Sequence, residues 1–156
     1  MGGSMFVHTF GAYFGLGVSL LLGNSTTRAG SAKAVRYNAH RHNRSDRFSD
    51  LTAMIGTLFL FMFWPSFNGA LATGAAQHRV VINTVISLAF SCVGAFAWSQ
   101  LLRPDRKFNM VDIQNATLAG GVAVGSSADL IIEPWGAALI GCLAGWNVFR
   151  KRALSP

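Results

Sequence analysis

His8 is the one imidazole inside the first apolar run, Met5 to about Gly23. Hydrocarbon cannot hydrate such a group, so an ionisable residue at that depth is a functional candidate by default, able to accept a hydrogen bond or relay a proton near neutral pH. Two plainer readings compete with it: a ring hydrogen-bonded to a neighbouring helix, and a ring high enough to reach interfacial water. The residues alone leave these open. Phe67 and Asn68 follow Pro65, and an aromatic beside a proline kink could close a pore, although most of twelve phenylalanines must be structural. His40, His42 and His78 fall in polar stretches and read as solvated.

Other residues with chemical potential point to blander roles. Cys92 and Cys142 lie in apolar runs, where a thiol behaves as a small hydrophobe. Asp129 and Glu133 suit interfacial caps, and Asp112 an N-cap. Gly125-Ser126-Ser127-Ala128 does not form a nucleophile elbow, and neither HExxH nor a pair of mid-membrane aspartates occurs. The chain therefore reads as a non-enzyme, with no cofactor or metal.

The elements that must hold His8 are membrane helices. Of 156 residues, 51% are hydrophobic and only 12% charged, about half the charge of a soluble domain, and the mean hydropathy is +0.38. Five spans are expected, at about 5–23, 50–75, 79–102, 111–128 and 133–149, giving an all-α polytopic bundle. Ser49 or Asp50 suits the N-cap of the second, Pro65 should kink it, and the second and third should form an antiparallel hairpin. The fourth carries Asp112, Gln114, Asn115, Thr117 and Ser126, whose polar atoms must face protein or water. Pro134 is acceptable in the first turn of the fifth.

Charge placement tests that count. The net charge of +7 does not read as nucleic-acid binding, because the thirteen Lys and Arg residues lie between apolar runs. Six fall after the first run (Arg28, Lys33, Arg36, Arg41, Arg44, Arg47), three after the third (Arg103, Arg106, Lys107) and three after the last (Arg150, Lys151, Arg152). Only Arg79 falls on the other side. By the positive-inside rule five crossings follow, with the N-terminus outside and the C-terminus cytoplasmic.

Small residues recur four apart: Gly11 with Gly15, Gly121 with Gly125, Gly141 with Gly145. That spacing puts each pair on one helix face and lets another helix approach closely, so these six are expected as packing positions.

Three stretches resemble a known family. Gly2-Gly3-Ser4-Met5-Phe6-Val7-His8-Thr9-Phe10-Gly11-Ala12-Tyr13-Phe14-Gly15-Leu16 is similar to the fifth pore helix of Rh-type ammonium transporters, the Rh glycoprotein branch of the ammonium transporter superfamily. Ser49-Asp50-Leu51 through Ala53-Met54-Ile55-Gly56-Thr57-Leu58-Phe59-Leu60, ending in Phe63-Trp64-Pro65-Ser66-Phe67-Asn68, resembles the next helix. Ile113-Gln114-Asn115-Ala116-Thr117-Leu118-Ala119-Gly120-Gly121-Val122-Ala123-Val124-Gly125 resembles the eighth. The likeness covers nearly the whole chain apart from the basic loop and the extreme C-terminus.

The resemblance implies a membrane-embedded bundle in which each protomer of a homotrimer has its own narrow pore, with ammonia or ammonium as substrate. It implies that His8 is the first of twin pore histidines and that Phe67 is one of the stacked phenylalanines closing the outer vestibule. In the family the second histidine lies on a tenth helix that this chain ends before reaching, and a vestibule aspartate would precede Met1. Residues 1–156 are therefore expected to be one partial transporter domain, in a fragment of a plasma-membrane channel. The alternative is a non-conducting truncated paralogue that associates with full-length Rh trimers.

Overall fold

The computed structural model describes residues 3–23, 46–102, 108–130 and 133–153. Most of the basic stretch after the first run, including His40 and His42, and the basic stretch 103–107 lie outside them. The described residues form five helices and no strand: α1 (Ser4–Gly23), α2 (Arg47–Gly69), α3 (Ala75–Leu102), α4 (Met110–Val124) and α5 (Pro134–Ala153). Helices α1 to α3 are long and apolar enough to cross a membrane. All five expected helices are present. At 15 residues, α4 is about 22 Å long at 1.5 Å per residue, short of a hydrocarbon core of about 30 Å.

Local chemistry moves several helix ends. Asp46, extended at φ −125° and ψ 144°, takes the N-cap position of α2, in place of Ser49 or Asp50. The Asp50 amide already donates to the Asp46 carbonyl at 2.8 Å, so Asp50 lies within the first turn, where its charge favours the helix dipole. Pro65 is buried inside α2, which continues to Gly69. There Gln77 Nε2 donates to the Gly69 carbonyl at 3.3 Å, and Gly74, at φ +59°, supplies the left-handed residue that starts the return into α3.

Asn109, not Asp112, caps α4: its side chain accepts from the Val111 amide at 2.9 Å, while Asp112 is buried in the first turn. Beyond Val124 the chain tightens into i to i+3 bonds, Ser127 to Val124 and Leu130 to Ser127, both at 3.0 Å. Carbonyls freed there are met by α3. Asn83 Nδ2 donates to the Ala128 carbonyl at 2.8 Å, and Arg79 Nη1 to that of Asp129 at 3.1 Å.

α3, α4 and α5 form the centre, with α2 packed on α3 and α4. What lets them approach is small residues. Ser87 Oγ donates to the Gly120 carbonyl at 2.9 Å, and Ser91 Oγ to that of Ala116. A Cβ on Gly120 would lie 2.5 Å from the Ser87 carbonyl oxygen, one on Gly145 would lie 2.6 Å from that of Ser91, and one on Gly141 would collide with that of Ser87. Because these neighbours are backbone, nothing can give way. Around this contact Ala72, Val80, Val124, Ala128 and Ala137 form the apolar core, with Ile86 and Ile140 against it.

The six glycines therefore divide. Gly141 and Gly145 meet α3, and Gly121 and Gly125 meet α2 and the start of α1, but Gly11 and Gly15 have nothing within 4 Å. Among the described residues, nothing lies against Gly11 or Gly15 on α1.

Candidate functional site

The first turn of α1 is fastened to the end of α4. Ser4, 1% exposed, donates from Oγ to the Val122 carbonyl at 3.0 Å. In return the Met5 amide donates to Ser126 Oγ at 3.1 Å. Gly125 makes this possible, since a Cβ there would sit 2.6 Å from the Ser4 Cβ and 2.8 Å from Asn68 Oδ1.

One turn further on, His8 is half-buried. Its Nδ1 lies 2.9 Å from the Ser4 carbonyl oxygen and 3.2 Å from Ser4 Oγ. No hydrogen-bond partner of Nε2 is present among the described residues. The imidazole lies nearly parallel to the Trp64 indole, ring centres 5.7 Å apart and planes at 22°. Phe67 stands edge-on to both, 6.4 Å from the imidazole and 6.3 Å from the indole.

These three rings, with Leu60 and Phe63, line a half-open cavity of about 240 Å³. Its wall is almost wholly hydrocarbon, so the imidazole is the polar feature of the hollow. Such a site can hold a small neutral hydrogen-bonding molecule. Among the described residues no group of His, Cys, Asp or Glu side chains is arranged to hold a metal ion.

His8 and Phe67, which are 59 positions apart in the chain, are thus brought into one cluster. The glycines take no part in lining it, although Gly121 and Gly125 seat its backing. Ser4 and Trp64 belong to the cluster too, and sequence reading did not single them out. The signals were there: Ser4 lies four residues before His8 and Trp64 three before Phe67, both same-face spacings on a helix. Asn68, next to Phe67, points the other way, fully buried, with Nδ2 donating to Thr84 Oγ1 and to the Gly121 carbonyl, each at 3.2 Å.

Comparison with known proteins adds a second line. Residues 1–151 match the model of the Ammonium Transporter Family. The chain is 49% identical over 158 residues to ammonium transporter Rh type A of Canis lupus familiaris, covering 100% of this chain and 36% of that protein. It is 52% identical over 145 residues to ammonium transporter Rh type B of Homo sapiens, covering 92% and 30%. The solved structure of Nitrosomonas europaea Rh50, of the Rhesus protein family of channels, superimposes with a TM-score of 0.75 at 38% identity over 92% of this chain and 34% of that one. The chain spans about a third of the length of these relatives.

Proposed function

The chain belongs to the ammonium transporter family, on its Rh side, and from that premise we propose that it forms one wall of a pathway carrying ammonia across a membrane. The observation that carries the reading is the setting of His8: an imidazole held against Trp64 and Phe67 at the edge of a hydrocarbon-lined hollow.

Such a hollow discriminates by charge. Moving an ion the size of ammonium from water into a low-dielectric interior costs on the order of 20 kcal/mol in the idealised limit. An uncharged molecule that leaves its hydrogen bonds behind loses roughly 2–7 kcal/mol. The difference selects NH3 over NH4+, so a proton must leave before the dry stretch. His8 is placed to accept a hydrogen bond from the passing molecule or to take up its proton. Phe67, at the cavity rim and 43% exposed, acts as the movable cover.

The hollow is open on one side, so the pathway needs further walls and a second proton-handling group beside His8. In this reading both come from helices of the kind that the relatives carry beyond the matched third. The N-terminus then faces the outside of a plasma membrane, the C-terminus the cytoplasm, and the assembled protein is a homotrimer.

A chimera tests the proposal. This chain replaces the matching third of human Rh type B, and ammonia-driven alkalinisation is followed in vesicles loaded with a pH-sensitive dye. The chimera should alkalinise faster than empty vesicles, and His8→Ala should remove most of the gain. Full flux in the His8→Ala chimera would show that the imidazole is not on the path.

A further inference from the structure

Two polar atoms on neighbouring turns of α2 are buried with no hydrogen-bond partner among the described residues: the donor Nε1 of Trp64 and the acceptor Oδ1 of Asn68. Native interiors rarely leave such groups unmade, because each has given up its bond to water. Both atoms are already enclosed by described residues, so a helix added to the outside of the bundle cannot supply the partner. Only something of the size of one water molecule can.

Neither side chain can turn away from the problem. The indole nitrogen is a donor and nothing else. On Asn68 the Nδ2 is committed to the Gly121 carbonyl and to Thr84 Oγ1. The carbonyl only accepts, and the Thr84 hydroxyl proton is spent on the Val80 carbonyl. Exchanging oxygen for nitrogen would therefore set two acceptors against Oδ1, which fixes Oδ1 on the far side of the amide.

The two atoms also lie within reach of one molecule. A Cβ on Gly121 would be 2.5 Å from Nε1 and 2.7 Å from both ring atoms beside it, so the indole lies flat on α4 and its N–H runs along the α4 surface. One turn on, a Cβ on Gly125 would be 2.8 Å from Asn68 Oδ1 and 2.7 Å from Ser4 Oγ. Positions four apart on a helix stand about 5–6 Å from each other, and two hydrogen bonds of about 2.9 Å through a shared molecule span about the same distance. Ser4 Oγ, whose proton goes to the Val122 carbonyl, can accept a third bond, the number that a buried water commonly makes.

We propose that α2 and α4 enclose, beside the Trp64 ring, a binding site for one uncharged hydride molecule, water or ammonia, that accepts from Trp64 Nε1–H and donates to Asn68 Oδ1. The donor and acceptor together set the class. Ammonium has no lone pair for the indole N–H, and carbon dioxide has no proton for Oδ1. The guest ties the ring that stacks on His8 to the next turn of its own helix, so the indole is oriented by hydrogen bonds as well as by its seat on Gly121. The site rests on the packing of α2 against α4 and not on the transport reading: a chimera that fails to alkalinise vesicles would sink that reading and leave this one standing.

The test is solid-state NMR of the 156-residue chain in lipid nanodiscs with nitrogen-labelled indoles, the Trp64 signal being assigned by its loss in Trp64→Phe. The Trp64 indole proton should resonate downfield, as a hydrogen-bonded one does, and should receive magnetisation from water even when a gadolinium chelate relaxes the bulk. An upfield proton without transfer overturns the site. Transfer abolished by the chelate overturns it as well, since that water enters from the half-open hollow. Asn68→Leu removes the acceptor, and Gly125→Ala presses a methyl against Oδ1; each should abolish the transfer, whereas Gly11→Ala, which meets nothing, should leave it unchanged. Full transfer in both Asn68→Leu and Gly125→Ala would show that Asn68 holds no guest. The source is read by replacing potassium chloride with ammonium chloride at one alkaline pH: a saturable shift of the indole proton that Asn68→Leu removes identifies ammonia, and an unmoved proton identifies water.

Discussion

The indole of Trp64 is seated directly on Gly121: a Cβ at that glycine would lie 2.5 Å from indole Nε1 and 2.7 Å from Cδ1 and Cε2. The same ring stacks on the His8 imidazole. A residue of α4 that has no side chain thus sets the depth of an indole on α2, and through it the place of an imidazole on α1.

Gly121→Ala should therefore disturb the site from behind. The large ring must move, and overpacking of this kind costs about 1–3 kcal/mol. The measurement is the thermal midpoint of the purified chain in detergent, together with flux through the chimera, and both should fall. Unchanged flux at a lowered midpoint would show that the depth of Trp64 does not matter to His8.

Trp64→Ala and Trp64→Phe should separate volume from chemistry. Trp64 is 8% exposed, and its Nε1 has no hydrogen-bond partner among the described residues. Replacement by Phe loses no hydrogen bond to protein and keeps a ring against His8, so most of the flux should remain. Replacement by Ala removes that support and should cost about 3 kcal/mol. Equal loss of flux in the two variants would point to the indole N–H rather than to the ring face.

Gly141→Ala and Gly15→Ala should have opposite effects on the isolated chain. The first collides with the Ser87 backbone, whereas the second meets nothing. Gly141→Ala should lower the thermal midpoint by an amount equivalent to about 1–3 kcal/mol. Gly15→Ala should raise it slightly, since alanine is favoured over glycine in a helix by about 0.5–1 kcal/mol. Loss of stability from Gly15→Ala in the chimera alone would reveal a helix seated on that face in the assembled protein.

Asn68→Leu should cost more than Thr84→Val. Asn68 donates to both the Gly121 carbonyl and Thr84 Oγ1, so its loss strips a buried carbonyl of a donor from another helix, at about 1–3 kcal/mol. Thr84 Oγ1 donates within its own helix, to the Val80 carbonyl at 2.7 Å, and the bond it accepts from Asn68 is one of two that Asn68 makes. Detergent-resistance midpoints of the two variants check the order, and a larger loss from Thr84→Val would reverse it.

Much of this was legible one residue at a time. Apolar run lengths located all five helices to within a few residues at most ends, because burying backbone polar groups in hydrocarbon leaves few alternatives to a helix. The lone imidazole within the first run marked His8 for the same reason. Helix starts were less legible. Asp46 and Asn109 compete with Ser49, Asp50 and Asp112 for the cap positions, and composition cannot say which backbone amide lacks a partner.

Spacing of four between glycines fixed which residues share a face, but it could not say whether anything faces them. Gly121 and Gly11 look alike in the sequence; one receives an indole and the other open space. Nor could spacing place Ser4, Trp64 and Val122 around one imidazole, since these belong to three helices whose meeting depends on close approach at Gly121 and Gly125. Periodicity within a helix is a local property, set by 3.6 residues per turn. Where two helices touch is set by the volumes that both present at once, and for His8 that shared volume exists only in the folded bundle.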